Sequence, residues 1–220
     1  MSIRKKPFVP GEYYHIYNRG NSKQKIFHDQ EDYFRFISLL YACNSGNNFR
    51  IYALNKKESP YDFERGSLLV GIGAYCLMPN HFHILIIQTE NGDISKFMQK
   101  VTTAYVMYYN KKYERTGSLF EGKFKAEHLV SDNYLKYIFS YIHLNSVKLI
   151  DKDWKERGIR NKKEALDYLA QYQYSSYVDY MGIERIQNKV LNRKAFPDYF
   201  PTQKDFLREI FEWISFKEID

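Results

Sequence analysis

Two histidines with one phenylalanine between them are the residues best placed to do chemistry. In Met78-Pro79-Asn80-His81-Phe82-His83-Ile84-Leu85-Ile86 the apolar run after Asn80 reads as a strand. Side chains alternate faces along a strand, so His81 and His83 point to one side and Phe82, Ile84 and Ile86 to the other. Two imidazoles on one face of a rigid strand can hold one metal ion, or can be a hydrogen-bonded pair at a strand end. As a metal site the pair is incomplete and needs a third ligand.

A second pattern supplies a candidate. Along Tyr137-Ile138-Phe139-Ser140-Tyr141-Ile142-His143-Leu144-Asn145 the spacing predicts a helix, with Tyr141 and Asn145 four residues apart on one face. Ile138, Ile142 and Leu149 form an adjoining stripe that can face the core. An amide oxygen from Asn145 added to two imidazole nitrogens leaves room for water and phosphate oxygens. Such a donor set suits Mg2+ or Mn2+ better than a closed zinc site. Tyr141 then sits beside any phosphate held there. A phenol, with a reference pKa of about 10, is a weak nucleophile and needs an electrophile polarised by a cation. The chain has 21 tyrosines, most of which must pack, so spacing alone leaves Tyr141 between nucleophile and packing residue.

The elements that must position these residues can be read in order. Glu12 to Arg19 is a strand closed by the turn Gly20-Asn21-Ser22. Asp29 to Leu40 carries Tyr33, Phe36, Ile37 and Leu40 at helical spacing, after an acidic first turn. Residues 49–56 form a short strand, and Lys57 to Gly66 a polar loop or hairpin tip. Leu68 to Leu77 and His81 to Gln88 are apolar on both faces and read as central strands. Asn91-Gly92-Asp93 is a turn and N-cap, and Ile94 to Tyr109 a helix striped by Ile94, Phe97, Met98, Val101, Ala104, Tyr105 and Tyr108. Lys111 to Gly122 is a basic loop, Lys123 to Val130 a strand, and Ser131-Asp132 opens a helix expected to reach about Leu149. The order β-α-β-β-α-β-α predicts an α+β fold, a ferredoxin-like antiparallel sheet with helices on one face. Residues 1–150 are assigned to that domain. Residues 151–220 are assigned to a C-terminal extension, helical at about 161–172 and 203–217, that binds DNA or covers the core.

Composition narrows the partners. Lys and Arg number 33 against 26 acidic residues, a net charge of +7 with a pI near 9.1, and such a surface favours polyanions. Sixteen phenylalanines accompany the tyrosines, more flat faces than a core of this size requires, and unpaired bases stack on such faces. No apolar run approaches the roughly 20 residues that span a bilayer. The basic start Met1-Ser2-Ile3-Arg4-Lys5-Lys6 is not followed by an apolar stretch before Pro7 and Pro10, so no secretory leader is expected. Cys43 and Cys76 lack the spacing of a disulfide framework or zinc knuckle, as expected of reduced thiols in a cytoplasmic protein.

The joint pattern resembles a family. Tyr75-Cys76-Leu77-Met78-Pro79-Asn80-His81-Phe82-His83 resembles the HUH signature of single-tyrosine transposases, and more closely that of the bacterial REP-associated tyrosine transposases. Tyr14-His15-Ile16-Tyr17-Asn18-Arg19-Gly20 resembles the family's opening strand. The stretch from Arg115 to Lys125 resembles its loop and strand before the last helix, and Tyr141-Ile142-His143-Leu144-Asn145-Ser146-Val147-Lys148 the helix bearing the nucleophile. Together these cover roughly residues 10 to 150. Ser146 departs from the proline that usually follows the family's asparagine.

The resemblance implies a ferredoxin-like domain that binds single-stranded DNA, often beside a hairpin, with His81, His83 and Asn145 as ligands of Mg2+ or Mn2+. Tyr141 would attack a phosphodiester, giving a 5′-phosphotyrosine and a free 3′-hydroxyl that can later reverse the step. Tyr137, one turn earlier, is a weaker second nucleophile and is read as packing or stacking on DNA. Arg19, Lys111, Lys112, Arg115, Lys123 and Lys125 are candidate phosphate contacts, about half of them expected to be simply solvated. Lys162, Lys163, Arg185 and Arg193 are candidates to grip a hairpin stem. Relatives with a C-terminal extension resemble monomers acting in cis, others are dimers that exchange the tyrosine helix, so monomer and homodimer both stay open. Three rivals remain: a non-catalytic nucleic-acid-binding module on a ferredoxin-like fold, a metal-dependent hydrolase with a water nucleophile, and a domesticated nickase.

Overall fold

The computed structural model describes residues 7–47, 59–89 and 93–215. The short strand expected at 49–56, the start of the 57–66 loop and residues 91 and 92 of the turn lie outside them.

Four strands build one sheet: β1 (Tyr13–Arg19), β2 (Val70–Met78), β3 (His81–Gln88) and β4 (Lys125–His128). Their order is β2-β3-β1-β4, with every neighbouring pair antiparallel. Helix α1 (Gln30–Ala42) links β1 to β2, and α2 (Ile94–Lys112) links β3 to β4. The result is the expected α+β ferredoxin-like arrangement. The hairpin between β2 and β3 turns on Pro79 and Asn80 alone, with Met78 opposite His81. The turn is tied down by Ile26 N–H donating to the Pro79 carbonyl at 2.8 Å and Gly20 N–H donating to the Asn80 carbonyl at 2.8 Å. A Cβ at Gly20 would lie 2.2 Å from the Gln24 carbonyl oxygen, so only glycine fits where β1 meets this turn.

Alternation gives the sheet two apolar faces. Tyr14, Ile16, Phe82, Ile84 and Ile86 meet Phe36, Ile37 and Leu40 of α1 and Phe97, Val101 and Tyr105 of α2. On the opposite face Ala74, Cys76, Met78 and Leu85 meet α3 (Asp132–Leu144) through Ile138, Phe139 and Ile142. The C-terminal extension packs on that same face. Its helices are α4 (Trp154–Arg157), α5 (Lys162–Gln171), α6 (Tyr177–Tyr180) and α7 (Gln203–Ser215). Leu169, Tyr177, Phe206 and Ile210 are all essentially fully buried, each stabilising by roughly 1.5–3 kcal/mol. Thus α1 and α2 cover one face and α3 with residues beyond 150 the other, so helices lie on both faces where one was expected, and this answers why β2 and β3 are apolar on both sides. The extension also caps the β2 edge, with Ser176 N–H donating to the Tyr75 carbonyl at 2.9 Å and Asn192 N–H to the Ile72 carbonyl at 2.8 Å.

Most boundaries fall within one or two residues of the sequence expectation, and the larger differences have physical reasons. Helix α2 continues through Lys111 and Lys112, because Lys112 folds back onto carboxylates of the α1 N-terminus. Strand β4 is shorter at both ends than 123–130. Helix α3 stops at Leu144, and Asn145–Leu149 tightens into a 3-10 turn, a common way for a helix end to satisfy its last carbonyls. The N-caps fall where the sequence put them: the Asp93 side chain accepts from Lys96 N–H and that of Ser131 from Tyr134 N–H. Among the described residues no helix is long and apolar enough to cross a membrane. Cys43 and Cys76 are free and buried.

Candidate active site

Register brings the site together. Arg19 lies opposite His81 and Tyr17 opposite His83 across the β1–β3 pair, so Tyr13, His15, Tyr17 and Arg19 share the face of the two histidines. Helix α3 crosses that face and brings Tyr141 with it. The Tyr141 ring stands edge-on to His83, centroids 5.5 Å apart at 77°. His81 and His83 are perpendicular, with centroids 5.1 Å apart. Because α3 ends at Leu144, Asn145 begins the tighter turn with its side chain buried, and its Oδ1 lies 3.3 Å from His81 Nε2. All four residues singled out by the His-x-His and Tyr-x-x-x-Asn patterns therefore meet at one place.

The electrostatics favour neutral imidazoles. Burial pushes His81 down to about 4, and burial holds His83 well below the ordinary histidine value. Both keep a lone pair for a cation at neutral pH. His81 Nδ1 is 2.7 Å from Asn80 Oδ1; the amide oxygen accepts, so the His81 proton belongs on Nδ1 and its Nε2 is bare. That bare nitrogen and the Asn145 oxygen are then two acceptors in contact, the arrangement expected of two ligands flanking a cation. Among the described residues no three His, Cys, Asp or Glu side chains gather as a metal set. The donors present, imidazoles and one amide, fit Mg2+ or Mn2+. Burial raises the Tyr141 phenol above its ordinary value, opposed by the Asn145 side chain and the Lys148 charge.

Three neighbours escaped the sequence reading. His15 sits behind His83, with Nε2 2.8 Å from His83 Nδ1. Lys155, from α4, places Nζ 3.9 Å from the Tyr141 ring centroid. Lys148 acts on both His81 and Tyr141. A lone strand histidine and two lysines in a basic chain carry no signal of their own. Tyr137 stacks between Tyr134 and Tyr141, with centroids 6.1 Å and 6.0 Å away.

The basic candidates divide. Lys111, Lys123 and Lys125 are exposed. Arg19 is exposed but forked onto Glu121, and Arg115 lies over the Tyr109 ring at 5.4 Å while donating to the Ser118 carbonyl. Lys112 is corrected to a structural role, because its ammonium is held by Asp29, Glu31 and Asp32 at 2.8–3.0 Å. In the extension, Arg185 is likewise structural, bonded to the fully buried Asp179 at 2.5 Å and to the Tyr75 hydroxyl at 2.9 Å. Arg193 stacks on Tyr180 and donates to the Asp179 carbonyl. Lys163 pairs with Asp167 at 2.7 Å on an exposed helix face.

A ferredoxin-like sheet bearing His-x-His on its third strand, crossed by a helix bearing Tyr-x-x-x-Asn, defines the class to compare. Residues 67–145 match the family model described as Transposase IS200 like. That segment, which contains β2, β3, α2, β4, α3 and all four site residues, is similar to the IS200-like transposases. Among solved structures it is similar to a REP-associated tyrosine transposase bound to a REP hairpin, with 12% identity, 85% of this chain and 90% of that chain covered, and a TM-score of 0.52. At that identity the likeness is one of fold. A Deinococcus radiodurans R1 protein assigned as a transposase matches at 16% identity over 64% of this chain and 95% of that one, with a TM-score of 0.37. No curated protein matches the sequence.

Proposed function

We propose that this protein is a transposase that nicks and rejoins single-stranded DNA, with Tyr141 as nucleophile and His81, His83 and Asn145 holding Mg2+ or Mn2+. The observation that carries this is the contact of His81 Nε2 with Asn145 Oδ1 at 3.3 Å beside the Tyr141 ring, two acceptors poised on one side of a side chain able to attack phosphorus. When bound, the cation would polarise a phosphate oxygen and offset charge in the transition state. The protein's own groups do the rest. Tyr141 Oη forms a bond to phosphorus as the P–O3′ bond breaks, leaving a 5′-phosphotyrosine. The phenol loses its proton and the departing 3′-oxygen gains one. Lys155 over the ring and Lys148 nearby favour the phenolate that develops. Attack of a 3′-hydroxyl on the phosphotyrosine reverses the step and needs no added energy source.

The DNA partner is supported by the +7 charge and by the hairpin complex of the REP-associated relative. Within residues 151–220 we assign the extension first to covering the sheet. Its Lys155 Nζ lies over the Tyr141 ring. The test is cleavage of an end-labelled single-stranded hairpin oligonucleotide with Mn2+ and with chelator. A metal-dependent cut that leaves a 3′-hydroxyl supports the assignment. Uncut DNA across a set of hairpins bound by the protein contradicts it and favours a binding module.

A further inference from the structure

Behind His83 lies a third imidazole with no role in the proposed strand cleavage. His15 pairs with Leu85 across β1 and β3, one diagonal step from His83 on the same face. Both rings are buried, 4% and 7% exposed, and lie nearly parallel with centroids 5.0 Å apart. His15 Nε2 and His83 Nδ1 are 2.8 Å apart, so one of the two nitrogens carries the proton between them.

The surroundings of His15 decide which. Its other nitrogen, Nδ1, is buried without a hydrogen-bond partner among the described residues, and the Glu127 carboxylate stands 3.9 Å away. A negative carboxylate at that distance favours an N–H over a lone pair facing it, so the His15 proton is assigned to Nδ1. His15 Nε2 is then an acceptor, and His83 donates through Nδ1–H. A neutral imidazole has one N–H, so His83 Nε2 is left with its lone pair exposed to the site. In the opposite arrangement His83 would carry its proton on Nε2 and could bind no cation there.

We propose that His15 is a positioning residue that holds His83 in its Nδ1–H tautomer and thereby keeps Nε2 as the ligand nitrogen; this rests on the metal site proposed above. The His81–Asn80 bond does the same for the first histidine, so each ligand nitrogen is set from behind by a different acceptor. Orienting partners of this kind typically change metal affinity by about 10–100-fold when removed.

The test uses the full chain, wild type and the variants His15→Gln and His15→Leu. Gln can present an accepting oxygen where His15 Nε2 stands, and Leu fills the space without one. Nitrogen-15 NMR of the histidine rings reads the His83 tautomer in metal-free protein, and calorimetry reads Mn2+ affinity. Wild type and His15→Gln should show His83 protonated on Nδ1 and similar Mn2+ affinities. His15→Leu should lose the single tautomer and bind Mn2+ about 10–100-fold more weakly. His83 protonated on Nε2 in wild type would overturn the proposal, as would undiminished Mn2+ affinity in folded His15→Leu, or His15→Gln as weak as His15→Leu. Should His15→Leu fail to fold, the wild-type tautomer and His15→Gln still decide. Failure of wild type to bind Mn2+, with the Nδ1–H tautomer present, would instead remove the metal site and with it the purpose assigned to His15.

Discussion

Lys155 Nζ lies 3.9 Å from the centroid of the Tyr141 ring, so a side chain from beyond the family-matched segment rests on the tyrosine of that segment. Burial lowers the Lys155 pKa below the ordinary lysine value, and its charge is correspondingly less screened than that of a surface lysine. The extension thus reaches the site as well as roofing the sheet.

Removing that charge should slow chemistry more than binding. A cation over an aromatic face contributes about 0.5–2 kcal/mol, which is roughly 2–30-fold in rate. Lys155→Met should lower single-turnover cleavage by that factor with DNA affinity nearly unchanged, and Lys155→Arg should recover most of it. Equal losses in binding and rate for Lys155→Met would mean that the lysine serves as an ordinary phosphate contact.

The basic residues should separate by salt dependence. Lys125 is exposed on β4, and Lys125→Ala should reduce the slope of log binding constant against log salt by about 0.7 on single-stranded DNA. Lys112→Met should leave that slope unchanged. It should instead cost about 1–3 kcal/mol of folding stability, because Asp32 is fully buried and loses one of its donors. Titrations at three salt concentrations and urea unfolding of both variants read the two effects independently.

Arg185 and Asp179 form an ion pair under the extension, with Asp179 fully buried and the Arg185 side chain 12% exposed. Arg185→Ala strands the carboxylate and should cost about 3–5 kcal/mol. The same variant should still bind hairpin DNA with near wild-type affinity at temperatures where it is folded. A stable variant with weakened binding would return Arg185 to the DNA surface.

Acid should destabilise the metal-free protein early. Burial pushes His15 and His81 to about 4 and His143 to about 3, all below the ordinary 6.5. The unfolded chain therefore binds more protons between those values, so the stabilisation is complete above about pH 6.5 and is lost as pH falls toward 4 and then 3. Each such histidine adds about 1.4 kcal/mol per pH unit to the slope. Urea midpoints from pH 7.5 to 4.5 should fall steeply, and His143→Gln should flatten the slope by one histidine's share. A pH-independent midpoint over that range would contradict the burial of these rings.

Much of this architecture was legible because it is periodic. His81–Gln88 reads in the sequence at its observed bounds, since an apolar run opened by Pro-Asn leaves little choice, and the same-face placement of His81 and His83 follows from alternation alone. The meeting of Asn145 with His81 was legible as a pattern, while the 3-10 turn that sets its angle was not, because a helix end is decided by local packing. His15 was invisible as a functional residue: its role depends on which residue of β3 lies diagonal to it, a matter of strand register. In the sequence Lys112 reads as loop charge, because nothing in its own neighbourhood announces the carboxylates of α1, more than 70 residues earlier. The covering of the second face could be inferred only from β2 and β3 being apolar on both sides.

The most direct test of the central claim is covalent trapping on labelled single-stranded hairpin DNA, with Mn2+ or with chelator, comparing wild type with Tyr141→Phe. A denaturant-resistant protein–DNA adduct that requires metal and disappears in Tyr141→Phe is the predicted result. Cleavage that persists in Tyr141→Phe would contradict it, and would assign the attack to water or to Tyr137.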